Sequence, residues 1–257
     1  MDTRELRVCA AVALSVLDLT NLKDDCTAKD IDDLCAKAFT GFGNTAAICI
    51  WPRFIAQARN ILGADSLVKI ATVVNFPSGD LEVAEVVAET QKAITDGADE
   101  IDLVIPYRKL IGGDEGAVSE MVRAVRAVIK APVILKVILE TGELKDMALI
   151  RTASSLAIAE GADFIKTSTG KVAVNATLEA ADIMLQAIRD SGKNVGFKPA
   201  GGISTVKDAR LYFRHVNAIM GEDWLMPSTF RFGASGLLND ILAVLSGEKS
   251  SEPTSDY

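Results

Sequence analysis

Two lysines stand in apolar runs where packing alone would select a residue that tolerates burial. One lies in Phe164-Ile165-Lys166-Thr167-Ser168-Thr169-Gly170-Lys171, the other in Val195-Gly196-Phe197-Lys198-Pro199-Ala200-Gly201-Gly202. An ammonium in a strand interior costs several kcal/mol to desolvate unless it is paired or deprotonated. Burial and a second like charge both lower the pKa of an amine, and a neutral amine at working pH is a nucleophile. Lysines at strand ends ordinarily snorkel to water. Here each is followed by hydroxyl, small and glycine residues, the composition of a loop that approaches a ligand closely.

The elements that must position these lysines follow from the hydropathy pattern. Apolar, β-branched segments recur roughly every 30 residues, each followed by a helical pattern, which is the length of one βα unit. Eight strands are predicted: Ala11 to Leu17, Thr45 to Ile50, Lys69 to Val74, Glu100 to Ile105, Val133 to Leu139, Asp163 to Thr167, Val195 to Lys198 and Thr229 to Phe232. Amphipathic helices are predicted over Leu81 to Asp96, Asp114 to Ile129 and Asp146 to Glu160, with further helices opening at Thr177 and Ser204. Near-continuous apolar strands alternating with helices predict a parallel (β/α)8 TIM barrel, with extra helix in residues 1–10 and in Lys23 to Thr40. A doubly wound open sheet is the alternative, weakened because no GxGxxG follows the first strand. Residues 1–247 read as a single catalytic domain and 248–257 as a flexible polar tail.

Catalytic groups of a barrel come from the C-terminal ends of strands and the loops after them. That filter keeps Asp18, Cys49, Asn75, Asp102, Lys136, Lys166, Lys198 and Ser235. Asp102 is an acid within an apolar strand and needs a cationic or hydrogen-bonding partner, which Lys198 could supply. A structural ion pair accounts for that pairing as well as a proton relay does. Glycine turns follow the last three strands at Ser168-Thr169-Gly170-Lys171, Ala200-Gly201-Gly202 and Gly233-Ala234-Ser235-Gly236, where barrels often build a phosphate site from backbone N–H groups and a helix N-terminus.

The whole chain narrows the classes. Its 257 residues, 49% hydrophobic, can bury a large core, and a net charge of -8 with a pI near 4.8 argues against nucleic acid or an anionic membrane as partner. No apolar run reaches the ~20 residues of a membrane span, and Met1 to Ala10 lacks the order of a signal peptide, so a cytoplasmic location is the expectation. Cys9, Cys26, Cys35 and Cys49 show no CxxC spacing and read as reduced thiols. The single histidine, His215, argues against a histidine-rich zinc site and sits in a predicted outer helix. No metal and no cofactor are expected.

Several stretches together, Asp18-Leu19-Thr20, Gly43 to Ile50, Val74-Asn75-Phe76-Pro77, Glu140 to Leu144, Gly161 to Lys171, Gly196 to Gly202 and Arg231 to Ser235, resemble the deoxyribose-phosphate aldolase family, its longer enterobacterial-type members most. The resemblance runs from about Asp18 to Tyr257, and its two lysine motifs are highly specific. It implies a metal-independent class I aldolase of deoxyribose catabolism, cleaving 2-deoxy-D-ribose 5-phosphate reversibly to acetaldehyde and D-glyceraldehyde 3-phosphate. Carried over by motif, Lys166 would form the Schiff base, Lys198 would depress its pKa, and Asp102 with Lys198 would relay protons through water. Tyr257 would fold into the site to help deprotonate the acetaldehyde imine. Gly170, Lys171, Gly201, Gly202, Ser235 and Gly236 would hold phosphate, Gly236 standing where the family often has a second serine. Asp18 and Thr20 would contact substrate hydroxyls, and Cys49 would lie near the pocket as a point of attack by aldehyde products. Small phosphosugar and aldehyde substrates are the implied partners, and a homodimer the implied assembly. A phosphosugar isomerase or epimerase, or a barrel that only senses a phosphorylated metabolite, are the rival readings; the first would want a carboxylate or histidine base and has little use for paired strand-end lysines, and the second has no reason to keep an amine buried at Lys166.

Overall fold

The computed structural model describes residues 3–252. Eight parallel strands form the barrel wall: β1 (Leu17–Asn21), β2 (Ala47–Ile50), β3 (Lys69–Val74), β4 (Glu100–Val104), β5 (Ile134–Ile138), β6 (Phe164–Lys166), β7 (Gly196–Lys198) and β8 (Phe232–Ala234). Each pairs with the next, and β8 pairs with β1 in the register Leu17 with Phe232 and Asp18 with Gly233. The ring closes between β7 and β8 through Phe197 N–H to the Thr229 carbonyl at 2.8 Å and Arg231 N–H to the Phe197 carbonyl at 3.1 Å. Closure leaves no open strand edge in the wall. The chain therefore has the expected (β/α)8 architecture.

Helices cover the outside: α1 (Thr3–Ser15), α2 (Ala28–Lys37), α3 (Ile55–Leu62), α4 (Val83–Thr95), α5 (Tyr107–Ile111), α6 (Glu115–Val128), α7 (Thr141–Leu144), α8 (Met147–Ala159), α9 (Leu178–Ser191), α10 (Val206–Met220) and α11 (Leu237–Leu245). Their starts follow from capping chemistry. Thr177 caps α9 through Ala180 N–H, Asp114 caps α6 through Ala117 N–H, and Thr205 with Asp208 forms a capping box on α10. The core lies between wall and helices, where outward strand residues such as Ile48, Ile101, Leu103, Val137 and Ile165 meet Val86, Val122, Ile150 and Leu185.

The first strand departs from expectation. Residues 11–15 continue α1, and β1 begins at Leu17. Ala10, Ala13 and Leu14 are buried at helical spacing, and a short apolar run is ambiguous between strand and helix until its burial face is known. Asp18 and Thr20 thereby sit inside the first strand, on its inner face, instead of just beyond it. The last strand is likewise displaced, from the expected Thr229 to Phe232 to Phe232–Ala234. The cap of α10 is Thr205, one residue after the expected Ser204. Between α2 and β2 a short antiparallel hairpin pairs Phe39–Thr40 with Gly43–Asn44. At the start of the tail, Asp240 accepts from the Ser250 hydroxyl and Ser251 N–H, each at 2.7 Å. Tyr257 lies outside the described residues.

Candidate active site

Successive residues of a strand face opposite sides of a sheet, so alternate residues of the wall point inward. On β4 these include Glu100 and Asp102, on β5 Lys136, on β6 Lys166, on β7 Lys198, on β1 Asp18; Arg231 enters just before β8. Parallel register then brings them together, setting Asp102 beside Lys136 and Lys166 beside Lys198. Around them the inner face of β2 and β3 is small and apolar, with Ala47, Cys49, Ala71 and Val73. Gly233 is required by close approach, since a Cβ there would lie 2.8 Å from the Ala200 Cβ and 3.1 Å from Lys198 Cε.

The charged groups form one connected network. Asp102 Oδ2 accepts from both Lys166 Nζ and Lys198 Nζ, each at 2.8 Å, while Oδ1 accepts from Lys136 Nζ at 3.0 Å. Lys198 Nζ also donates to Asp18 Oδ2 at 2.6 Å, and Asp18 Oδ1 accepts from Arg231 Nη1 at 2.6 Å. Arg231 Nη2 donates to Glu100 Oε1 at 2.8 Å, and Glu100 Oε2 accepts from Lys136. Lys166 is 3% exposed and Lys198 and Asp102 are wholly buried. Breaking such a network by removing one partner strands a charge in a low-dielectric interior, which is why so many polar groups persist there together.

Burial and charge divide the two lysines. Desolvation lowers the pKa of Lys166, Lys198 lowers it further, and the single Asp102 bond only partly opposes them. For Lys198 the desolvation penalty is overcome by two carboxylates, Asp102 and Asp18, which hold it above the ordinary lysine range. Asp102, despite burial, is held well below the usual carboxylate range by Lys136, Lys166 and Lys198, and Asp18 is held low by Lys198 and Arg231. One amine is thus biased toward its neutral, nucleophilic form while its neighbour stays charged. Separate environments driving apart the pKa values of adjacent groups are the usual mark of an acid–base site.

The structure brings Lys166, Lys198, Asp102 and Asp18 into direct contact. Cys49 is buried on the inner face of β2, where desolvation raises its thiol pKa and so holds back the reactive thiolate. Both oxygens of Asp18 are engaged by Lys198 and Arg231, and the Thr20 hydroxyl donates to the Asp18 carbonyl at 2.8 Å. Asn75 is occupied structurally: it donates to the Val104 carbonyl and accepts from Leu81 N–H, pinning the loop after β3.

The glycine loops after β6, β7 and β8 converge on one rim. A Cβ on Gly201 would meet the Asn175 side chain at 2.7 Å, and one on Gly236 would lie 3.8 Å from Ser204 Cβ. Gly170, Gly201 and Gly202 adopt positive φ of 84°, 82° and 82°, which a side chain would strain. Ser235 is exposed and Gly236 immediately precedes α11. Lys171 is turned elsewhere: its Nζ pairs with Asp24 at 2.9 Å and lies over the Trp51 ring, and its N–H donates to the Thr169 hydroxyl at 3.0 Å.

Glu100, Arg231 and Glu140 were given no role from the sequence, and Lys136 was kept only as a strand-end candidate. The first two carried a signal, a charge at period two within an apolar strand, Glu100 with Asp102 and Arg231 between Phe230 and Phe232. Glu140 is buried in the left-handed region at φ 58°. Its carboxylate accepts from the Thr169 hydroxyl at 2.6 Å and Thr169 N–H at 3.2 Å, so the hydroxyl spends its hydrogen on Glu140 and presents a lone pair to Lys171 N–H. That chain ties the end of β5 to the loop after β6. Among the described residues no cluster of histidine, cysteine or carboxylate side chains could hold a metal ion, and no helix is long and apolar enough to cross a membrane. His215 lies on α10, with Nε2 3.3 Å from Asp182 Oδ1, away from the network.

Known proteins resemble the chain along most of its length. Residues 12–240 match the model of the DeoC/LacD family of aldolases. A deoxyribose-phosphate aldolase of Agrobacterium fabrum is 70% identical over 257 residues, spanning 100% of this chain and 99% of its own. Among solved structures, a deoxyribose phosphate aldolase of Aeropyrum pernix described as a tetramer superposes with a TM-score of 0.74 at 22% identity, over 95% of this chain and 98% of that one. A triosephosphate isomerase of Bartonella henselae reaches a TM-score of 0.55 at 14% identity, over 89% and 97% of the two chains, a likeness of fold alone.

Proposed function

This chain belongs to the DeoC/LacD family of aldolases, and from that premise we propose that it cleaves 2-deoxy-D-ribose 5-phosphate to acetaldehyde and D-glyceraldehyde 3-phosphate through a Schiff base on Lys166. The observation that carries the assignment of the nucleophile is the asymmetry between two touching amines. Lys166 has one carboxylate partner and a pKa pushed down, while Lys198 has two and is held charged.

In this reading the neutral Lys166 amine attacks the substrate C1 aldehyde and forms a carbinolamine. Loss of water gives an iminium, whose positive nitrogen is the electron sink. A base removes the proton of the C3 hydroxyl, the C2–C3 bond breaks, and its electron pair moves into the iminium to give an enamine. Glyceraldehyde 3-phosphate leaves; the enamine is protonated at C2 and hydrolysed to acetaldehyde, which restores the amine. Asp102, sharing Oδ2 between the two lysines, is placed to pass protons between Lys198 and groups on the substrate by way of water. An iminium on Lys166 also meets Asp102 at ion-pair distance, which stabilises the charge as it forms.

Phosphate is proposed to bind the rim formed by Gly170, Gly201, Gly202, Ser235 and Gly236, where the start of α11 adds the positive end of a helix dipole. Lys171 would join after leaving Asp24. Gly236 keeps a backbone N–H but offers no hydroxyl. Asp18 and Thr20 enter as supports of Lys198 and the inner wall, with substrate contact reserved for Thr20. Tyr257 keeps the role the resemblance implies, and the homodimer is tested by light scattering.

The test is product formation coupled to reduction of the triose phosphate, with Lys166→Leu as control. Turnover abolished by that substitution supports the reading; wild-type turnover in the variant overturns it. An epimerase would interconvert phosphosugars without releasing acetaldehyde, and the 14% identical isomerase offers that reading only a shared fold.

A further inference from the structure

The buried network holds an odd number of charges. Its connected members are four cations, Lys136, Lys166, Lys198 and Arg231, and three carboxylates, Asp18, Glu100 and Asp102. Three cations suffice to neutralise it. The fourth is an uncompensated charge in a water-poor interior, and the cost of burying it falls on the member with fewest carboxylate contacts. Lys198 touches two carboxylates, Arg231 two, and Lys136 bonds two and lies 3.6 Å from a third, whereas Lys166 touches Asp102 alone.

We propose that Lys136 is a positioning residue for the reaction, a permanent cation that occupies Asp102 Oδ1 and Glu100 so that the network is already neutral without a proton on Lys166. It is fully buried on β5, below Lys166 in register, since Ile138 and not Lys136 pairs with Lys166. Its chemistry at a distance is electrostatic: it satisfies the carboxylate that would otherwise claim the Lys166 proton. Glu100 acts in the opposite sense, as an anion that draws Lys136 and Arg231 to itself.

The groups facing Lys166 from each neighbouring element are accounted for. Asp102 from β4, Lys198 from β7 and Cys49 from β2 act on Lys166 directly, whereas Lys136 from β5, Glu100 from β4, Asp18 from β1 and Arg231 from the approach to β8 are linked to it through Asp102 and Lys198. Glu140, in the loop after β5, also feels Lys166, but its oxygens bond Thr169 and no cation of the network. Burial raises the Cys49 thiol pKa and keeps it neutral.

The inference rests on the aldolase reading, and its test separates the two. Trapping of the adduct between 2-deoxyribose 5-phosphate and the protein by borohydride is followed across pH, with the site read by mass spectrometry. In Lys136→Met three carboxylates face three cations including Lys166, so the pH at which trapping begins rises by about one to two units, the size of a single charge at this range. In Glu100→Gln the cation excess grows and the onset moves to lower pH. Lys136→Arg, which keeps the charge, returns the wild-type onset. Opposite shifts with arginine rescue support the proposal; a merely structural role would lower adduct yield in both variants without moving the onset. An unmoved onset in either folded variant, or shifts of the same sign, overturn it. No adduct in the wild type would instead sink the aldolase reading itself. Should Lys136→Met fail to fold, Glu100→Gln still decides the sign: a lowered onset supports the proposal, and an unmoved or raised one overturns it.

Discussion

Replacing Lys198 with methionine keeps the bulk of the side chain and removes one charge from beside the nucleophile. Asp18 retains Arg231, and Asp102 retains Lys136 and Lys166, so each carboxylate keeps a cation. Both amines donate to the same oxygen at 2.8 Å, which places them no more than twice that distance apart. Two like charges about 5 Å apart at an effective dielectric constant of about 20 repel by about 3 kcal/mol, or about two pKa units. The Lys166 amine in Lys198→Met should therefore protonate about two units higher. Rapid-quench borohydride trapping isolates imine formation from later proton transfers. At a pH below the wild-type onset the trapping rate should fall about 100-fold, and it should recover when pH is raised by about two units. Lys198→Arg preserves the charge and should leave the onset nearly in place. An unchanged onset in Lys198→Met would refute the claim that Lys198 controls the state of Lys166.

Other perturbations probe different parts of the account. In Gly142→Ala the new Cβ would fall 1.9 Å from the Val174 carbonyl oxygen, a backbone atom, so the loop carrying Gly170 and Lys171 must move by about 1 Å; steady-state kinetics should show a raised KM with imine trapping retained. Glu140→Gln weakens the hold on Thr169 and should lower kcat/KM by about 10-fold without moving the trapping onset, measured on the same pH series. Asp18 and Asp102 have pKa values depressed on folding, so their stabilisation is present above about pH 4 and is lost as pH falls through that value and below. Asp18→Asn should flatten that acid limb of a urea-melt series, and an unchanged slope would contradict the burial account.

The barrel was legible because its wall is written as apolar runs at the spacing of βα units, and strand-end lysines stand out against such a background. Lys166, Lys198 and Asp102 needed no coordinates to be singled out. The first strand was misplaced because Ala11 to Leu14 is equally apolar for a helix, and only the neighbours buried against Ala13 and Leu14 decide it. The network itself was out of reach: Glu100 and Lys136 lie in different strands and Arg231 just before a third, and their contact depends on parallel register across the barrel. Glu140 was hidden for a different reason, since its role comes from a left-handed backbone that turns its carboxylate toward Thr169. Lys171 shows the converse, a residue marked by its motif whose amine pairs with Asp24, remote in sequence.

The central claim is that the nucleophile is the lysine left over after the buried charges are balanced. Incubating the protein with 2-deoxyribose 5-phosphate and borohydride, then digesting it and locating the reduced adduct by mass spectrometry, tests this most directly. The account predicts modification of Lys166 alone, with Lys198 and Lys136 untouched. An adduct on Lys198, or none on folded protein, would contradict it.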